Sequence, residues 1–433
     1  MAFTRVSGAF THTVDVPPVP QDAAVILQGR CRGRPARLGL NKSLLARGIL
    51  LLGAARSGKS VTQTKLIRQL QGHMGPQDCM VILDTKGEYA SRFYKPGDWI
   101  LGRGGANSPN VGWNLLWDCT AGCGTEEDLR QRAAMISACI FAGKENQQTP
   151  YFTDAPRRVL EVLLETLIRH PEILPQGECL DNHGLLAFLR RGDWDAFLEN
   201  CSAPKEMISY LGSDSTRRSP AERSVLAELQ INVSNRLCGN FAGHGAFSMI
   251  QFEERRGGQT LFLQYDPRDG GACDPVYGLL LDLLFTSFLT GKHPEGKLYV
   301  FLDEFHVLGQ APELFLKTLN YGPGIGLGTV CVAAQSLAQL QQLCGEAGAE
   351  TMLAGLQNRF LFHVEDTSSR DFVREQCGSV PVQVVSYVPG IAYHISAGAL
   401  QSAVEDSELI GLKTGEAVVK MPSYPAFFFQ FDP

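Results

Sequence analysis

Six short apolar runs punctuate the chain at Gly48–Leu52, Cys79–Leu83, Thr260–Tyr265, Leu298–Leu302, Thr329–Ala333 and Arg359–Val364. They read as strands, and helical patterns follow most of them: Ser60–Gln71, Pro275–Leu289, Glu313–Leu319, Leu337–Leu343 and Thr367–Gln376. This alternation predicts a doubly wound α/β architecture, a mostly parallel sheet covered by helices. One long interruption breaks it. From Trp117 to about Arg236 the strand signals vanish, and apolar residues recur at helical spacing over Glu126–Phe141, Ala155–Arg169, Leu185–Leu189 and Ser224–Leu237. The expected organisation is therefore an α/β domain over 1–117 and 237–433, split by an all-α insertion over 118–236.

Length supports more than one unit, since 433 residues exceed what one hydrophobic core usually sustains. With 44% hydrophobic and 19% charged residues the chain reads as globular rather than disordered. No secretory signal is visible in the polar Met1–Thr13. The longest apolar stretch, Tyr277–Leu289, is too short to cross a bilayer and carries Asp282. The expected location is cytoplasmic. Twelve cysteines without a C-x-x-C pair read as reduced core thiols, and Cys119 and Cys123 with His170 or His183 match no standard zinc module. A formal charge of −6 argues against a basic coat but leaves room for nucleic acid bound along a local basic channel. Arginines cluster at 30, 32, 34 and 37, at 217, 218 and 223, and at 255 and 256. Each cluster, taken singly, reads as solvated surface.

Gly53-Ala54-Ala55-Arg56-Ser57-Gly58-Lys59-Ser60 is a G-x-x-x-x-G-K-S phosphate loop, and it lies between a predicted strand and a predicted helix. In that setting the glycines let successive backbone N–H groups turn toward a phosphate, Lys59 reaches the β- and γ-phosphates, and the Ser60 hydroxyl can hold Mg²⁺. Gly53, Arg56, Ser57, Gly58, Lys59, Ser60 and Val61 are thus the expected nucleotide-binding residues.

A second motif, Leu298-Tyr299-Val300-Phe301-Leu302-Asp303-Glu304, places two carboxylates at the end of an apolar strand, the edge where open α/β sheets bind ligands. Asp303 is expected to hold Mg²⁺ beside Ser60, and Glu304 to orient and polarise an attacking water. The pair points to ATP hydrolysis used for work. A guanine-reading N-K-x-D motif is missing, since Asn41-Lys42-Ser43-Leu44 does not match it. Gln335, after the strand Thr329–Ala334, reads either as a γ-phosphate sensor or as a helix-capping amide. Asp84, Lys86 and Glu88 end the second strand, with no role assigned by chemistry alone.

Taken in order, these motifs resemble the type IV secretion coupling proteins, the ATPases of conjugative DNA transfer. Besides the phosphate loop, the resemblance rests on Leu83-Asp84-Thr85-Lys86-Gly87-Glu88, Asn114-Leu115-Leu116 and Phe301-Leu302-Asp303-Glu304-Phe305 with Leu308-Gly309. It also rests on Gln335-Ser336-Leu337-Ala338-Gln339-Leu340, and it covers about Leu40 to Val419. It implies a RecA-like motor interrupted by a helical domain, a hexameric ring, ATP and Mg²⁺ as cofactors, and sequence-nonspecific DNA. The implied partners are a relaxase or relaxosome, secreted protein substrates and secretion-channel proteins at the inner membrane. Two departures stand out. Such proteins usually begin with transmembrane helices, whereas this chain opens on a short polar segment, read as a soluble variant or a trimmed chain. Relatives also often carry a basic residue before the glutamine strand, where this chain has Asn320-Tyr321-Gly322-Pro323-Gly324-Ile325-Gly326-Leu327-Gly328. Arg359 is then the nearest candidate for a trans-acting arginine finger; its alternative reading is an arginine snorkelling at a strand entrance. A double-stranded DNA translocase and a docking module with weak turnover remain as other readings of the same motor.

Overall fold

The computed structural model describes residues 2–5, 10–102, 110–142, 151–266, 271–291, 296–312, 314–388 and 391–433. The chain forms two compact units, the first from Met1–Ile82, His293–His306 and Leu316–Pro433, the second from Leu83–Lys292 and Val307–Phe315. These divisions fall elsewhere than the boundaries expected near residues 117 and 237.

The strands are β1 (Ala2–Arg5), β2 (Ala23–Cys31), β3 (Arg34–Asn41), β4 (Ile49–Leu52), β5 (Cys79–Asp84), β6 (Trp99–Gly102), β7 (Asn110–Val111), β8 (Gln259–Gln264), β9 (Leu298–Leu302), β10 (Leu327–Ala334), β11 (Asn358–Phe362), β12 (Ser379–Val388), β13 (Ile391–Ser402), β14 (Glu416–Lys420) and β15 (Phe427–Phe431). Each of the six expected strands is present, with ends shifted by two residues or fewer.

In the first unit, β4 lies between β10 and β11, both parallel to it, and β9 runs parallel to β10 on its far side. Every residue of β4, β9 and β10 is buried. Such uniform burial is why these runs are continuously apolar rather than alternating, and each fully buried Leu, Ile or Val contributes roughly 1.5–3 kcal/mol through loss of apolar surface. Next to this parallel core the sheet turns antiparallel, in the order β11-β14-β15-β2-β3. None of those four added strands was expected. The helix Lys59–His73 leans on β2, where Ile26 N donates to Gln69 Oε1 at 2.9 Å and Gln69 Nε2 donates to Ile26 O at 3.1 Å. A separate antiparallel sheet joins β1, β12 and β13.

In the second unit β6 pairs in parallel with β7 and β8, and the described residues between β7 and β8 contain helices but no strand. The expected segments appear as Glu126–Ile140, Tyr151–Arg169, Asn182–Arg191 and Pro220–Arg236. Capping boxes start two of them, Thr125 with Asp128 and Ser219 with Glu222. Buried Asp118 fastens the start of the helix Met249–Arg255. It accepts hydrogen bonds from Trp113 Nε1 (2.6 Å), Ser248 Oγ (2.5 Å), Met249 N (3.1 Å) and Ile250 N (3.0 Å). Burial pushes its pKa up, and these donors pull it down.

The long apolar helix is Asp274–Thr290, and among the described residues no helix is long and apolar enough to cross a membrane. The helix expected at Glu313–Leu319 runs over Phe315–Tyr321; Glu313 lies outside the described residues. The one expected at Leu337–Leu343 continues to Gly355, broken by Gly345 at φ +71°.

Candidate nucleotide site

Register in the first unit brings three strand ends to one edge. Ala334 of β10 stands beside Leu52 of β4, and Val332 of β10 beside Leu302 of β9. The residues that follow, Gly53, Asp303 and Gln335, therefore emerge together. Gly53 N donates to Ala334 O at 3.1 Å and Ala54 N to His363 O at 2.7 Å, which anchors the loop to the strands on both sides. Gly415 N donates to Ser57 O at 2.8 Å. Gly58 is held in a left-handed conformation (φ +117°), and a Cβ there would lie 2.9 Å from the Gly415 backbone, so glycine is required.

The interior of the loop is polar. Lys59 is buried, and its ammonium donates to Gly53 O and, at 3.0 Å, to Ala54 O. Ser57 Oγ is buried with no hydrogen-bond partner among the described residues, a group whose desolvation costs about 1–3 kcal/mol unless something pairs with it. Gly58 provides no side-chain cap for the 15-residue helix Lys59–His73, so the helix start offers its own N–H groups and dipole. These features fit a phosphate chain. Arg56, at φ +61°, and Val61 are exposed, so Val61 can contribute only its backbone.

Asp303 and Glu304 are both buried at the end of β9. Glu304 sits at φ +47°, an uncommon conformation for a side-chain-bearing residue, costing on the order of 1–2 kcal/mol. Its carboxylate meets Gln335, whose Nε2 lies 3.1 Å from both oxygens. His306 Nδ1 is 3.6 Å from Glu304 Oε2, and Gln339 Nε2 is 3.5 Å from His306 Nε2. Gln339 Oε1 in turn accepts from Gln335 N at 2.9 Å. Gln335 is not a helix cap, because Ser336 Oγ holds that position by accepting from Gln339 N. Burial, and then the charge of Asp303, push the Cys331 thiol up. His306, Gln339 and Gly415 were not singled out by sequence reasoning. The signal for His306 and Gln339 is faint: one lies two residues after Glu304, the other four after Gln335.

Arg359 lies at the opposite end of its strand, paired with Leu50 and Lys420. Its guanidinium donates to Leu356 O (3.1 Å), Leu353 O (2.5 Å) and Gln376 Oε1, and it sits 5.6 Å above the Phe372 ring. Burial pulls its pKa down. In the second unit, Asp84 Oδ2 accepts from Ala90 N at 2.9 Å and serves the start of the short helix Glu88–Phe93, while burial pushes its pKa up.

A family profile described as the type IV secretion-system coupling protein DNA-binding domain matches residues 34–426. No curated protein matches. The fold is similar to that of the bacterial conjugative coupling protein TrwBdeltaN70 in its unbound monoclinic form, with TM-score 0.71 and 20% identity over 100% of this chain and 93% of that one. It is also similar to the plasmid coupling protein TrwB in complex with ADP and Mg²⁺, with TM-score 0.69 and 20% identity over 100% and 94%. VirB4 of Thermoanaerobacter pseudethanolicus aligns with TM-score 0.57 and 12% identity over 96% and 98%.

Proposed function

This chain belongs to the type IV secretion-system coupling protein family, and on that premise we propose that it is an ATP-hydrolysing motor driving DNA or DNA–protein substrate toward a secretion channel. The observation that carries the proposal is Glu304, buried, strained and bonded to Gln335, at the edge where the phosphate loop begins. A carboxylate there can accept a proton from, and orient, an attacking water. Gln335, joined to it, can register departure of the γ-phosphate and pass the change to the helix Leu337–Gly355 through Gln339. Lys59, the Ser57 hydroxyl and the first-turn N–H groups hold the phosphates. Ser60 and Asp303 would hold magnesium, which when bound neutralises phosphate charge.

We further propose that the motor domain is 1–117 with 237–433, and that the helical insertion 118–236 recruits a relaxase or secreted protein. DNA is bound without regard to sequence, and six copies form the working ring. The location follows from the partners: cytoplasmic, at the inner membrane through secretion proteins. Arg359 does not suit the finger role, because its guanidinium is engaged by three acceptors of its own chain. We assign it to bracing the start of β11. The test is ATP hydrolysis by the full chain with and without DNA: turnover raised by DNA and removed by Glu304→Gln supports the motor, and turnover indifferent to DNA leaves a docking module.

A further inference from the structure

Twelve cysteines are spread through the chain, and the fold sets two of them face to face. Cys238 follows the helix Pro220–Arg236 and opens the 3₁₀ turn Gly239–Phe241, while Cys273 stands immediately before the helix Asp274–Thr290. Their sulfurs lie 3.1 Å apart, although 35 positions separate the residues in sequence. Both belong to the second unit.

The backbones that carry these thiols are fixed by other groups. Arg236 Nη1 donates to Ala272 O at 2.9 Å, while its Nε and Nη2 hold Ile140 O (3.2 Å) and Ala142 O (3.0 Å). One guanidinium thus ties the helix end to the residue before Cys273. The Cys273 carbonyl accepts from Val276 N at 2.9 Å and Tyr277 N at 3.2 Å. Phe241 packs edge-on against Tyr277, with ring centroids 5.3 Å apart. A bond between the sulfurs therefore needs only small side-chain rotations, and breaking it leaves the surrounding contacts in place. The two thiols also differ in access. Cys273 is buried, whereas Cys238 is partly exposed, with exposed Gly239 and Asn240 beside it. An oxidant in solution reaches Cys238 first.

We infer that Cys238 and Cys273 form a reversible disulfide, a redox-modification site that staples the exit of the helix Pro220–Arg236 to the start of the helix Asp274–Thr290. The oxidant is a small disulfide of the glutathione class. The Cys238 thiolate, its proton released, attacks one sulfur of that disulfide; a mixed disulfide forms and one glutathione thiolate leaves. The Cys273 thiolate then attacks Cys238 Sγ and expels the second glutathione thiolate. Two protons pass from the protein thiols to the two glutathione thiolates, and two electrons from the protein reduce the oxidant. In a reducing compartment the pair rests as thiols and closes only under oxidant. Once closed, the bond rings residues 238–273 and constrains the unfolded chain, which stabilises the second unit.

The test is incubation of the full chain with glutathione disulfide under native conditions, followed by peptide mapping and thermal unfolding. One linked peptide pair should join Cys238 to Cys273, and the unfolding midpoint should rise by on the order of 5 °C. Dithiothreitol should reverse both changes. Cys238→Ser should show neither the link nor the shift, and Cys273→Ala should stop at a glutathione adduct on Cys238. Absence of the link in the native wild-type chain, its appearance only after denaturant, or a link from Cys238 to a different cysteine would overturn the site. So would a link without the shift, a shift that survives in Cys238→Ser, or no adduct on Cys238 in folded Cys273→Ala.

Discussion

Gln335 places its side-chain nitrogen 3.1 Å from both carboxylate oxygens of Glu304, and the left-handed backbone of Glu304 turns that carboxylate out of the strand line. If Glu304 activates water, Glu304→Gln should bind ATP normally and hydrolyse it at least about a hundredfold more slowly, the usual scale for losing a general base. Fluorescent-nucleotide titration beside a phosphate-release assay checks this. Loss of binding in that variant would reverse the division of roles between Asp303 and Glu304.

Lys59 donates to two loop carbonyls, Gly53 O and Ala54 O, so it also braces the loop from within. Lys59→Ala should abolish measurable ATP binding and turnover together, because the cation facing the phosphates and the brace are removed at once. Calorimetry decides it, and wild-type affinity in the variant would contradict the assignment.

For Arg359, a brace and a finger predict opposite results. Arg359→Ala leaves the carbonyls of Leu353 and Leu356 without their donor and should lower stability by about 2–3 kcal/mol, read as a fall in denaturant midpoint. Turnover per folded molecule should hold near the wild-type value. A stable variant without turnover, restored by mixing with Lys59→Ala subunits, would return the residue to the finger role.

Asp118 receives four donors at a helix start inside the second unit. In Asp118→Asn one oxygen becomes an NH₂ facing two of those donors, and stability should drop by roughly 2–4 kcal/mol. Nucleotide binding should be spared, because the phosphate-loop site belongs to the first unit. Thermal unfolding with and without ADP separates the effects.

The parallel core was legible because β4, β9 and β10 are buried throughout, which leaves an unbroken apolar signature. The antiparallel strands were not. In β2 and β3 buried aliphatics mix with exposed arginines, so neither stands out as an apolar run, and β15, although four of its five residues are phenylalanine, has no helical pattern after it to complete the α/β alternation. Within the candidate site, Gly53 with Lys59, Asp303 with Glu304, and Gln335 were readable because each belongs to a short motif at a predicted strand end, local in itself though the motifs lie far apart. Gly415 was not, because its role comes from contact with Gly58, 357 positions away in sequence. Arg359 illustrates the converse: its place in the sequence suggested a finger, and the three acceptors that favour the proposed brace come to it only in the fold.

The central claim, hydrolysis coupled to movement along DNA, is tested most directly by the salt dependence of DNA-stimulated ATP turnover by the full chain. Contacts to phosphates release counterions, so the account predicts stimulation by DNA of any sequence that falls steeply, by orders of magnitude in apparent affinity, between about 50 and 200 mM salt. Stimulation confined to one sequence, or untouched by salt, would contradict it.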